Sequence, residues 1–589
     1  MSEATGSKIT RVYANFRGVD FRGEEINLVR SPDSLNVWKD YKNTESIRTR
    51  PCMELVSDFD ATVYGVFFYK DMMLVHSGTR LYKVLYEVVN GKVVCGDKSV
   101  LWDGCSEAPS NGFVYDNIWY FKDRKNYLQY DGVTYRDENG NVVRENIKEV
   151  EGYVPTTFIN RTPTDGKSVA GGEPYQDVNM LQPRRINTFV GDGVSRVFHL
   201  AAKDGIDKDF QPIVRVNGEQ VIEFTVDYDA GKITFTGDDA PPVPDTTGQS
   251  NVSIEFRKTI KEYRSAILNC SIVQVFDSRV FFSGNKDYPN VVWHCSLDDP
   301  SYICDTDMYL EGMDEAQVTG MVAGNNALWV FREPSEENTT VFYHTPTIDE
   351  QYGKIYPAVH SSVSIGCIGR AINFNDDIVF FSERGLEGIS GDVTTEQVVA
   401  HRSSLVDRKM IAEPNYKNMI LEEWEGYLFV FIGDKAYLAD SRTAFTNEDH
   451  IEYEWFYWNM EKEITCAKVY DGVLYLGTAD GVYALTDSTG NVESYWVTPK
   501  DKFKYPHMQK TTNKRGCVAE ATGDITVYAK TEKTAEFEPI GTFENVKDYF
   551  VSRIKKKKFK DIQLKFHSNT RFSLETVTLE CFIGAYVKR

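Results

Sequence analysis

The chain has 589 residues, 41% hydrophobic and 13% aromatic, which excludes a disordered polypeptide and leaves room for more than one domain. Its 66 lysines and arginines against 87 aspartates and glutamates give a net charge of -21, which disfavours a general nucleic-acid coat and leaves room for a local basic patch. The ten cysteines are dispersed without a CxxC pair, which excludes a zinc knuckle or redox dithiol and fits free thiols in a reducing compartment; only Cys95 and Cys105 lie near enough in sequence for a disulfide.

The N-terminal stretch MSEATGSKITRVYANFRG has no apolar core of signal-peptide length, and no segment reaches 18 uninterrupted apolar residues. A soluble protein made in a cytoplasm is expected. Beyond residue 60 an apolar strand, a short polar turn and an aromatic-rich strand recur. TVYGVFFYKDMMLVHSG turns around Asp71 and NGFVYDNIWYFKD around Asp116. After a gap come SIVQVFDSRVFFSG around Asp277, TGMVAGNNALWVFRE around Asn325 and GRAINFNDDIVFFSE around Asp376. MILEEWEGYLFVFIG around Glu425 and AKVYDGVLYLGTADG around Asp471 complete the series. Strands that alternate apolar with small or polar residues and turn at Asp, Asn or Gly predict hairpins.

The repeat of roughly 45 to 51 residues matches a propeller blade, a four-stranded unit that buries its two apolar faces only by stacking between neighbours. The predicted fold is therefore all-β, a six- or seven-bladed β-propeller, with a β-sandwich array as the alternative. Five regions follow. Residues 1–60 form an N-terminal segment and the propeller closure, 61–141 the first blades, 142–260 a linker and inserted β-sandwich, 261–498 the remaining blades and 499–589 a β-rich C-terminal region. Within the insertion, VNGEQV and YDAGKI read as hairpins turning at Asn217-Gly218 and Ala230-Gly231. In the last region Lys555, Lys556, Lys557, Lys558 and Lys560 form the one dense basic cluster. Edge protection of a strand accounts for it; contact with phosphate or an acidic partner is the functional alternative.

Local motifs for chemistry are missing. The nine histidines show no HExxH or His-x-His spacing, and GxSxG and GxxxxGK[ST] are absent, so no metal, cofactor or catalytic residue is predicted. A glycosidase needs only two suitably separated acids, and the sequence selects no pair among its many carboxylates. Trp293-His294, Trp424 and Trp455-Phe456-Tyr457-Trp458 offer either a sugar-binding surface or packing between blades, and packing is the favoured reading.

Three stretches carry a resemblance. FRGVDFRGEEINLVRSPDSLNVWKDYKNTESIRTRPCMEL resembles the N-terminal signature of propeller proteins of tailed bacteriophages, through Arg17, Gly18 and Asp20, then Asn36 and Trp38, then Arg48, Arg50 and Pro51, with Cys52 where glycine is usual. GDGVSRVFHL with VRVNGEQV and VDYDAGKITFTGDDAPP is similar to a small sandwich of phage structural proteins. VFDSRVFFSGNKDYPNVVWHCSLDDPSYICDTDMY resembles the blade that follows, through Asn285, Pro289, Asn290 and Trp293. The resemblance, to phage stabilisation proteins and short-tail nozzles, implies a non-enzymatic virion component at the neck or tail. It implies a ring of copies, sixfold as is common in that family, against portal, adaptor or other tail proteins, tail fibres among them, with DNA passing through without sequence-specific binding. Arg48 and Arg50 are expected to fix the N-terminal segment through charge-assisted hydrogen bonds. The alternative function is a carbohydrate-binding or glycoside-cleaving propeller acting in receptor recognition.

Overall fold

The computed structural model describes residues 6–586 apart from 90–91, 140–141, 164–171, 203, 247, 337–338, 351–352, 391–396, 448–449 and 489. The protein is all-β, built from discrete, mostly antiparallel sheets, and it divides into two compact units. The first comprises Met1–Pro109, Asn338–Val341 and Ser361–Arg589; the second comprises Ser110–Glu337 and Phe342–His360.

Each of the seven expected hairpins opens a four-stranded sheet. Sheet one is Val63–Tyr69, Met72–Ser77, Arg80–Val89 and Lys92–Asp103; sheet two is Asn111–Tyr115, Ile118–Lys122, Tyr127–Arg136 and Val142–Glu149. Sheets three and four open with Ile272–Phe276 and Val318–Gly324. Sheets five, six and seven open with Ala371–Phe374, Ile420–Trp424 and Cys466–Tyr470. The turns explain why the hairpins were readable. At Asp116-Asn117, Asp277-Ser278, Asn325-Asn326, Asn375-Asp376, Glu425-Gly426 and Asp471-Gly472 both central residues have positive φ. That conformation, whose twist matches the flanking strands, is the one Asp, Asn and Gly tolerate best.

In the first unit sheets five, six, seven and one pack face to face in that order. Sheet seven takes its fourth strand, Cys52–Asp58, from the N-terminal side of the chain, paired with Gly481–Thr486. Sheets seven and one share a core in which Phe68 stacks on Tyr470 at 4.1 Å. The same unit holds an eleven-stranded sheet made from both ends of the chain. Its main path runs Ser34–Leu35, Ser494–Val497, Ile562–Ser568, Met508–Thr531, Phe572–Tyr586, Ile47–Thr49 and Val37–Lys39. The first and last of these strands are joined through Asn36, so the path is a nearly closed barrel.

In the second unit sheets two, three and four pack in chain order. Between sheets two and three lie a six-stranded and a three-stranded sheet that share one core, including Phe189, Phe198, Val214, Ile233, Val252 and Phe256. The expected guest sandwich is thus two sheets over a common core. Its expected lower boundary at residue 142 falls inside sheet two, because Val142–Glu149 is that sheet's outer strand. With the pattern VVRENIKE, largely exposed, this strand carries too little apolar alternation to be recognised. Residues 164–171 of the expected linker lie outside the described residues.

Candidate functional site

The phage-like signature residues are structural anchors. Gly18 has φ +126°, and a Cβ there would meet the Trp455 carbonyl oxygen at 2.0 Å. Arg17 lies 3.6 Å from Glu454, and buried Asp20 receives both arms of Arg22 at 2.9 Å. Asn36, at φ 56°, accepts from the Asn459 amide at 2.8 Å and from Arg50 Nε at 3.1 Å. Arg50 also donates to the carbonyls of Pro51 and Asn459, while Arg48 pairs with Asp40 at 2.6 Å. Trp38 stacks on Trp424 with ring centres 5.6 Å apart. In the second unit Asn285 donates to the Ala266 carbonyl at 2.8 Å and Asn290 to that of Gly312 at 3.2 Å. The Pro289 carbonyl accepts from Val318 at 2.8 Å, and Trp293 is buried against Tyr288. Trp293, Trp424, Trp455 and Trp458 are all core residues, so none supplies an exposed sugar platform. In the basic cluster Lys556 pairs with Glu538, and Lys555, Lys557, Lys558 and Lys560 are exposed.

A polar site is assembled elsewhere in the second unit, where two loops zip together. One, Gln176–Gln182, enters the guest sheets; the other, Cys295–Asp307, joins the third and fourth strands of sheet three. Met180 donates to the Ile303 carbonyl at 2.8 Å and Asp305 to that of Val178 at 3.0 Å. Buried Asn179 fixes the junction. Its amide donates to the carbonyls of Tyr153 and Ser301, and its oxygen accepts from the amides of Leu181 and Ile303. Loops far apart in sequence thereby become one rigid surface.

Three carboxyl groups meet there. Asp177, exposed, accepts from Thr306 Oγ1 at 2.7 Å, and its carbonyl accepts from the Tyr302 hydroxyl at 2.9 Å. Asp305 accepts from the Tyr263 hydroxyl at 3.0 Å. Burial raises the pKa of both Asp305 and Asp307, and the charge of Asp177 adds to it; hydrogen bonds from Tyr263 and Cys304, and Arg185 and Arg279, oppose it. His294 Nδ1 stands 3.9 Å from Asp307, but burial lowers its pKa to about 4, so the neutral imidazole gives the acid no charge and Arg279 is the cation that acts on it. The Tyr153 and Tyr302 rings lie 5.0 Å apart beside these acids, with Gln176 bonded to Tyr153 and the neighbouring Tyr175 63% exposed. Carboxyls held toward protonation next to a carboxylate, on a tyrosine-lined surface, are equipped for proton transfer to a hydroxylated ligand.

The sequence contained this site without marking it. SLDDPSYICDTDMY concentrates acids and tyrosines, but Asp177 joins from more than 100 residues earlier. A second constellation, in the first unit, sets one imidazole between two carboxylates. His401 Nε2 is 2.6 Å from Asp407, its Nδ1 3.3 Å from Glu387, and Ser403 donates to Asp407 at 2.6 Å. Burial opposes protonation of His401, yet the two carboxylates prevail and raise its pKa to about 10.

No family model matches the chain, and no curated protein matches it. Among solved structures it is similar to BamB from Moraxella catarrhalis, at 13% identity and TM-score 0.31 over 73% of this chain and 96% of that one. It is also similar to a Trichoderma reesei carbohydrate-active enzyme of family AA12, at 7% identity and TM-score 0.28 over 75% and 98%. An exo-beta-1,3-galactanase from Phanerochaete chrysosporium matches at 9% identity and TM-score 0.22 over 52% and 94%. Likeness of this extent carries no inference about activity.

Two expectations are corrected. His76 and Cys105, both buried in the first unit, hold their ligand atoms within 4.8 Å of each other, and imidazole and thiol are ligand types that suit a metal ion. This gathering, invisible to motif spacing, overturns the expectation of a protein without metal-binding or catalytic chemistry. With it falls the reading as a purely structural virion component of a neck or tail. All ten cysteines are free, so Cys95 and Cys105 are not bridged. No helix among the described residues is long and apolar enough to cross a membrane.

Proposed function

We propose that the protein acts on carbohydrate, binding a glycan at the Asp177, Asp305 and Asp307 surface and cleaving a glycosidic bond there. The observation that carries this reading is the pair of carboxyls with raised pKa, Asp305 and Asp307, beside Asp177 and the tyrosines. Glycoside hydrolysis needs a proton donor for the leaving oxygen and a second carboxylate to act as nucleophile or to activate water. Asp307, one-third exposed at its side chain and not held by a tyrosine, is the donor. Asp177 is the second carboxylate, and Tyr153, Tyr175 and Tyr302 offer faces to the sugar ring.

The scaffold proposed is a seven-bladed β-propeller. Its support is that seven sheets share one construction, pack in the successions five, six, seven, one and two, three, four within the two units, and include one completed by a strand from the N-terminal side. Incubation of the protein with a panel of neutral and acidic oligosaccharides, read by chromatography of the products, tests the function. Cleavage lost in Asp307→Asn and Asp177→Asn with binding retained is the expected result. Cleavage unchanged in both variants, or no glycan bound or cleaved, would overturn it.

A further inference from the structure

The basic cluster of the C-terminal region is larger than its sequence run, and edge protection does not account for it. The edge strand Lys557–Phe559 pairs with the start of Met508–Thr531, placing Thr511 opposite Lys557. Tyr549–Ser552 pairs further along the same strand, with Cys517 opposite Ser552. Between these two pairings the long strand bulges over residues 513–516, where its register against Phe572–Tyr586 shifts. The connecting residues 553–556 run beside the bulge: Thr512 donates its amide to the Lys556 carbonyl at 2.9 Å and its hydroxyl to that of Ile554 at 3.0 Å.

Lys514 and Arg515 on the bulge therefore stand next to Arg553, Lys555, Lys557 and Lys558. All six are exposed, and none has an ion-pair partner among the described residues. The acids bordering them are engaged: Glu538 with Lys556, and Glu580 with Lys8 and Asn513. Six unneutralised cations on one bulged sheet edge concentrate positive potential in a chain of net charge -21. Lys514 and Arg515 are not on the edge strand, so shielding that edge does not require them.

We propose that this surface docks an anionic polysaccharide, a chain bearing sulfate, phosphate or uronate groups. Charge complementarity selects a polyanion. In these segments Phe550 and Phe559 are buried and Tyr549 alone among the aromatic residues is exposed, one ring where stacking of successive nucleic-acid bases needs several. The proposal deepens the carbohydrate reading and rests on it for the choice of a glycan.

The test is fluorescence anisotropy of the full-length protein with labelled heparin oligosaccharide, neutral dextran oligosaccharide and oligo(dT), at low and physiological salt. Heparin is expected to bind, dextran not at this surface, and affinity to fall more than tenfold in Lys514→Glu/Arg515→Glu/Lys557→Glu/Lys558→Glu. Arg553→Gln/Lys555→Gln, a milder change, is expected to weaken it several-fold, with circular dichroism confirming folding of both variants. Unchanged heparin affinity in both variants, or no heparin binding at low salt, would overturn the proposal. Tighter binding of oligo(dT) than of heparin would overturn the glycan assignment. Heparin binding unaffected by Asp307→Asn separates this surface from the acidic site, so either can fail alone.

Discussion

The acidic cluster of sheet three's loop and the His401 constellation of sheet five use similar residues to opposite ends. Around His401, Glu387 and Asp407 face an imidazolium, and each charge meets its opposite at hydrogen-bond distance. Around Asp307, the nearby histidine is neutral and the carboxyls keep raised pKa values. A compensated cluster stabilises the strands it joins; a less compensated one shifts its carboxyls toward the protonated form, at a cost in stability. The difference in pairing, not in residue type, separates structural from chemical carboxylates here.

That contrast is open to test by mutation. The largest effect is expected on catalysis: Asp307→Asn should lower the rate of glycan cleavage at least 100-fold, the scale of losing a general acid, with binding unchanged by titration calorimetry. Replacing His401 with Gln should leave cleavage intact and destabilise the fold by about 2 kcal/mol near pH 6, allowing for its partial exposure. Because the folded pKa of His401 is raised to about 10, this contribution is fully present below the unfolded value near 6.5. It should fade as pH rises through about 10, measured by denaturant unfolding of both proteins across pH.

The smallest effect has the opposite sign. Asp305 has a raised folded pKa, so the wild-type carboxyl disfavours folding increasingly as pH rises through the carboxylate range. Asp305→Asn should stabilise the protein by a few tenths of a kcal/mol at pH 7, and the gain should vanish toward pH 3. A destabilised Asp305→Asn at pH 7 would mean that this carboxylate is compensated after all, and the contrast with His401 would collapse.

Features set by neighbouring residues were legible in the sequence. Six of the seven hairpins announced themselves because a two-residue turn with positive φ favours Asp, Asn or Gly between strands of alternating pattern. Val142–Glu149 escaped because its exposed residues alternate little. The acidic site escaped for a different reason. Asp177 and Asp307 are brought together by Asn179, whose four hydrogen bonds bind two distant loops, and no local spacing encodes that. The approach of Cys105 to His76 was hidden in the same way, the two lying on separate segments. The aromatic clusters were legible as packing, since tryptophans within strands of a stacked sheet face its neighbours.

The most direct test of the central claim is the pH dependence of glycan cleavage by wild-type protein beside Asp307→Asn. The account predicts cleavage that declines on the alkaline side as a carboxyl with raised pKa loses its proton, and cleavage at background level at every pH in the variant. Cleavage by Asp307→Asn with an unaltered pH profile would contradict it.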